Sequence, residues 1–133
     1  MTTFLDAARQ FAMEAGPVIF LQALLAIVIL VLTYVNIIRL AQPGGRRPAG
    51  LDTSIDAILF WGSLTAIFGF FGQWNGLYRA ANALHDYGLA NPAFIVKGVG
   101  ESASTAVFGM FTLVVSAFLW FALRVVQNRR AAT

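Results

Sequence analysis

Glu101 is the residue around which any chemistry in this 133-residue chain would have to be built. It stands in the stretch PAFIVKGVGESASTAVFGMFTLVVSAFLWFALR (Pro92–Arg124), whose part from Ser102 to Leu123 carries no charge. An ionisable group at the edge of such an apolar run is a candidate for proton handling or for a structural ion pair. Read as a helix, Gly98, Glu101, Thr105, Gly109, Thr112 and Ser116 fall within roughly 80° of one another. The rest of that surface is largely Val, Leu, Phe, Met and Trp. A face turned to lipid needs no polar seam, so this one is expected to meet protein or water.

Depth decides between the two roles of Glu101. If Arg124 marks one membrane boundary, Thr105–Leu123 fills most of a core about 30 Å thick and Glu101 lies at the opposite mouth. Arg79 falls at a similar depth on the preceding helix, and Lys97 is close in sequence. Two readings stay open: a mouth ion pair of Arg79 with Glu101 that sets helix register, and a titrating gate residue. Deeper in, the spans offer only hydroxyls and amides: Thr33, Ser63, Thr65, Gln73, Asn75, Thr105, Thr112 and Ser116. None of these titrates near neutral pH. A proton crossing here would need a carboxylate from a partner or a file of water.

His85, beside Asp86 near a turn, is expected to be a solvated loop residue. One histidine with one carboxylate makes no metal site, and the chain has no Cys. No nucleophile–base pair, phosphate loop or zinc motif is present, so neither enzyme activity nor a cofactor is expected.

These residues need long apolar helices to hold them. The chain is 59% hydrophobic and 11% charged, where soluble domains average about 45–50% and about 25%. The composition predicts an all-α integral membrane protein, a single domain over 1–133 with three transmembrane helices at about 17–40, 54–86 and 92–124. Gly16-Pro17 opens the first span, with proline suited to a first helical turn. Val18–Ile38 is uncharged, interrupted by Gln22, Thr33 and Asn36, and Arg39 closes it. AQPGGRRPAG (Ala41–Gly50) reads as a loop by its turn residues, giving a short connection over 41–53. Met1–Gly16 carries Phe4, Leu5, Ala8, Phe11 and Ala12 at helical spacing, as a surface helix or a frayed terminus would.

The second span has a stripe of its own. Gly62, Thr65, Gly69, Gly72 and Gly76 also lie within roughly 80° on a helical wheel. Glycine disfavours a helix by about 1 kcal/mol per position in water, so a row of glycines points to close backbone approach. Tyr87-Gly88 ends this helix and Asn91-Pro92 starts the next. The second and third helices therefore form a long hairpin. Arg39, Arg46, Arg47, Arg124, Arg129 and Arg130 would share one side, against Arg9, Arg79 and Lys97 on the other. That split predicts the N-terminus outside, with the 41–53 loop and the C-terminus in the cytoplasm.

Two of these segments together resemble the MotA/TolQ/ExbB proton-channel family. AIFGFFGQWNGLYRA (Ala66–Ala80) is similar to that family's second-helix G-x-x-G-T-x-x-G pattern, with Gly69, Gly72 and Gly76 in register. NPAFIVKGVGESASTAVFG (Asn91–Gly109) is similar to its third-helix pattern, a Pro followed by G-I-x-E-A-L-x-x-T-A-x-G, with Gly98, Glu101 and Gly109 at that spacing. The resemblance implies a homopentamer in a bacterial inner membrane, its second and third helices lining a pore that holds a single-span subunit like ExbD, TolR or MotB. Glu101, Thr105, Thr112, Ser116, Thr65 and Gln73 would then line the pore, and Gly62, Gly69, Gly72, Gly76, Gly98 and Gly109 would pack the helices. Gln73 and Ala106 stand where the family usually has threonines. Those two positions favour the alternative, a non-conducting scaffold or assembly subunit that keeps the bundle without the proton pathway.

Overall fold

The computed structural model describes residues 17–42, 50–87 and 92–131; within these, the side chains of Pro17, Asp86, Tyr87, Lys97, Glu101 and Ala131 and of residues 92–95 lie outside the described set. The described chain is helical almost throughout: α1 is Pro17–Ala41, α2 is Leu51–Tyr87 and α3 is Pro92–Ala131. All three are long and apolar enough to cross a membrane. Their lengths differ, because 25 residues give α1 about 37 Å while 37 and 40 residues give α2 and α3 about 55 and 60 Å.

Two boundaries fall outside the limits expected from sequence. α2 begins at Leu51, not near Ser54. Gly50 takes a φ of 79°, a left-handed value that a Cβ would disfavour, and its carbonyl accepts the Ser54 N–H at 3.0 Å. At the other end α3 does not stop at Arg124 but continues through Arg130 to Ala131. Gln127 explains the extension, since it is buried and donates to Asp52 at the start of α2.

The contacts run antiparallel. Gly62 of α2 lies against Ser116 of α3, and Gly76 against Ser102, so α2 and α3 pair along most of their length. α1 lies antiparallel to α2, with Val18 beside Gly72 and Asn36 bonded to the Ser54 carbonyl. α1 thus starts near the middle of the hairpin and runs to its open end, while α2 and α3 continue past the start of α1 on the other side. The apolar core gathers at the Arg124 end, where Ile29, Leu40, Leu51, Ile55, Ile58 and Leu123 are buried together and backed by Leu32, Trp61, Leu119 and Trp120. Outside, the bundle shows large apolar side chains to its surroundings, Phe20, Trp74 and Phe118 among them. Such a surface suits hydrocarbon.

Candidate functional site

The centre of the bundle is a crossing of three helices built on two threonines, two glycines and one glutamine. Thr65 and Gly69 are one turn apart on α2; Thr105 and Gly109 are one turn apart on α3. A Cβ at Gly69 would stand 2.6 Å from the Thr105 carbonyl oxygen, and one at Gly109 would stand 2.8 Å from the Thr65 carbonyl oxygen. Real Cβ atoms do not come so near, so glycine is what lets the backbones meet. Gln22 of α1 enters this crossing fully buried. Its Nε2 donates to the Thr65 carbonyl at 3.2 Å and to the Thr105 carbonyl at 2.9 Å. One amide nitrogen therefore spends a hydrogen on each helix of the hairpin. Among the described residues its buried Oε1 finds no hydrogen-bond partner, nor does Oδ1 of Asn36, about four turns further along α1.

The hydroxyls of the seam are closed within the same packing. Thr65 donates to Trp61 O at 2.8 Å, Thr112 to Phe108 O at 2.9 Å and Ser116 to Thr112 O at 2.8 Å. Thr105 reaches across to Gly69 O at 3.2 Å and back to Ser102 O at 3.0 Å. All four residues are buried, and the α2 and α3 stripes face one another inside one chain. Of the residues expected to line a pore, Thr65, Thr105, Thr112 and Ser116 occupy this helix–helix interface, with Gly109 against Thr65, Gly69 against Thr105 and Gly62 against Ser116; Gly76 lies against Ser102. Gly72 sits against Thr105 Oγ1 and Val18, and Gly98 against Ala80. Gln73 is half-buried and Asn75 exposed, both on the part of α2 leading out to Arg79, which is itself exposed. The backbone of Glu101 belongs to α3, but its side chain, and with it the pair expected with Arg79, lies outside the described residues. So does the segment Met1–Gly16.

A second polar group escaped the sequence reading. At the end of the bundle where α2 begins, Arg124 of α3 binds two carboxylates of α2. Its Nη1 donates to Asp52 Oδ1 at 2.8 Å; its Nη2 donates to both oxygens of Asp56, at 2.6 and 2.7 Å. Trp120 Nε1 adds a bond to Asp56 Oδ1 at 2.9 Å, and Gln127 Nε2 one to Asp52 Oδ1 at 2.9 Å. Asp52 and Asp56 are spaced four apart, which sets both on one helical face. Arg124 lies 23 residues from Glu101 along α3 and Asp56 lies 23 residues from Arg79 along α2, about 34 Å of helical rise in each case. That separation matches the thickness of a bilayer core.

Chemically, the described residues offer hydrogen bonds and ion pairs that join helices. Among them no three His, Asp or Glu side chains gather as a metal site would require. The sequence held a signal for this crossing, because TAIFG (Thr65–Gly69) and TAVFG (Thr105–Gly109) repeat one short pattern, and Gln22 is one of two carboxamides in the otherwise apolar first span. Compared with protein-family models, curated proteins and solved structures, the chain matches none. The resemblance to the MotA/TolQ/ExbB family therefore rests on the residues of its two motifs.

Proposed function

We propose that this chain is a multi-pass membrane subunit that works by assembly, a scaffold whose own three-helix bundle provides no path for ions. The observation that carries this reading is the closure of the seam. Thr65, Thr105, Thr112 and Ser116 are buried and each hydroxyl already donates to a backbone carbonyl. Buried against the facing helix with their donors committed, these hydroxyls line a packed interface rather than a file of water inside the chain.

A second reading keeps the channel or motor role but moves the conducting route between chains. It is favoured by Asn75, an exposed amide on the outer half of α2 beside half-buried Gln73. An amide there is better placed against protein or water than against lipid tails. In that arrangement several copies, five in the resembling family, would surround a single-span partner in a bacterial inner membrane. Protons would enter near Glu101, and the partner would supply a membrane-buried carboxylate. Sodium is the other ion such a route could carry.

One experiment separates the two. The complex is extracted from its native membrane with its partners, counted by native mass spectrometry, and reconstituted into liposomes loaded with a pH dye. Proton flux at the level of protein-free liposomes under an imposed potential is the expected result for the scaffold. Rapid flux from a complex that contains a single-span partner would replace it with the motor reading. Rapid flux from the chain alone would overturn both.

A further inference from the structure

We infer that α2 and α3 are two inverted copies of one helical module, and that the hairpin is an antiparallel pair with quasi-two-fold symmetry. The sequence carries the first half of the observation. TAIFGFF (Thr65–Phe71) and TAVFGMF (Thr105–Phe111) share five of seven residues at an offset of forty. The structure carries the second, independently of any matching of letters. If position n of α2 is equivalent to position n + 40 of α3, the closest approaches between the helices should recur with their partners exchanged.

The close backbone approaches do recur, while the threonine hydroxyls differ: Thr105 reaches across to Gly69 O and Thr65 donates within its own helix to Trp61 O. Gly69 approaches the Thr105 carbonyl at 2.6 Å and the Ala106 Cα at 3.1 Å; Gly109 approaches the Thr65 carbonyl at 2.8 Å and the Ala66 Cα at 3.0 Å. Gln22 Nε2 lies 3.0 Å from the Cβ position of each glycine, so α1 meets the pair where the two copies cross. Farther out, Gly62 packs on Ser116 and Gly76 packs on Ser102. Under the offset these two pairs are images of each other, with glycine and serine reversed. The outward positions follow as well: Ile67 and Val107, Phe71 and Phe111, and Tyr78 and Phe118 are exposed on their respective helices. The likeness ends where the helices take different partners, since Asp56 and Arg124 have no acidic or basic equivalents at Val96 and Leu84.

The inference makes an unusual demand on the outer pairs. Each must accept its glycine and serine in either order, because the equivalent crossing already holds them the other way round. Gly62→Ser alone sets serine against serine at a site where a Cβ would stand 2.5 Å from Ser116 Cβ. The double variant Gly62→Ser/Ser116→Gly instead reproduces the Ser102–Gly76 arrangement. Thermal unfolding of the full chain in detergent, followed by circular dichroism, tests this. The single variant should lower the midpoint by about 5 °C or more, and the double variant should return it to near the wild-type value. A double variant as unstable as the single one would overturn the equivalence. An unaffected single variant would overturn the pairing itself.

Discussion

Gly69 of α2 and Thr105 of α3 touch backbone to backbone, with 2.6 Å between the Thr105 carbonyl oxygen and the place where a Cβ on Gly69 would stand. Neither atom is at the end of a flexible side chain, so an added methyl group must push two helices apart. Gly69→Ala and Gly109→Ala should each destabilise the bundle by about 1–3 kcal/mol, the usual range for overpacking a tight interior. Gly100 is the control. Nothing lies within 4 Å of its Cβ position, so Gly100→Ala should leave stability unchanged or raise it slightly through helix propensity. Denaturant titration in micelles would read all three; equal behaviour of Gly69→Ala and Gly100→Ala would remove the crossing from the account.

Gln22 is expected to respond to chemistry more than to size. Gln22→Leu removes two donated bonds but also removes a buried acceptor that has no partner, and such an acceptor costs about 1–3 kcal/mol. Interhelical bonds in membranes average about 0.6 kcal/mol. The two effects nearly offset, so Gln22→Leu should change stability little. Gln22→Glu puts an acceptor against two carbonyl oxygens and buries a charge. It should be the more damaging variant, and less so in acid, where the new carboxyl is neutral and regains one donor. Unfolding midpoints across pH would check both the ranking and the direction.

Much of the bundle was legible in the sequence, and the limit has a physical cause. Helical periodicity places residues on a face, so the stripes through Gly69 and Gly109 follow from residue spacing alone. Periodicity does not say what a face meets, and a seam closed on its neighbour looks like a seam open to a pore. The extra length of α3 was hidden for a related reason. Arg124 looks like a boundary charge until Asp52 and Asp56, far away in sequence, are brought to it. Gln22 and Asn36 belong to no stripe, and their importance depends on carbonyls that only packing brings within reach.

Orientation can be tested without disturbing the fold, because the chain has no cysteine of its own. The proposed arrangement, with the N-terminus outside, follows from six basic residues on one side against three on the other. Single cysteines replace Thr3, Gly45 and Ala131 in turn. An impermeant maleimide added to intact cells should label the first and spare the other two. Labelling of the second and third with the first protected would invert the topology.

The Asp52–Arg124–Asp56 cluster should act as a fastening for the open end of the hairpin, opposite the connection after Tyr87. The side chains of Asp52 and Asp56 are about half exposed and that of Arg124 is 27% exposed, so solvent screens the attraction strongly. A surface ion pair contributes about 0–1 kcal/mol, and a bidentate arginine belongs near the top of that range. The coupling of Arg124 with Asp56 in a double-mutant cycle, using Arg124→Gln and Asp56→Asn, is therefore expected near 1 kcal/mol and should shrink in high salt. The single Arg124→Gln variant should lose more than that coupling, because it leaves two aspartates four residues apart on one face without their shared cation. Amide hydrogen exchange would locate the loss: protection should fall at the start of α2 and beyond Leu123 of α3, while the Thr65–Gly69 crossing keeps its own. Uniform loss along both helices would mean that the cluster holds the whole hairpin rather than its end.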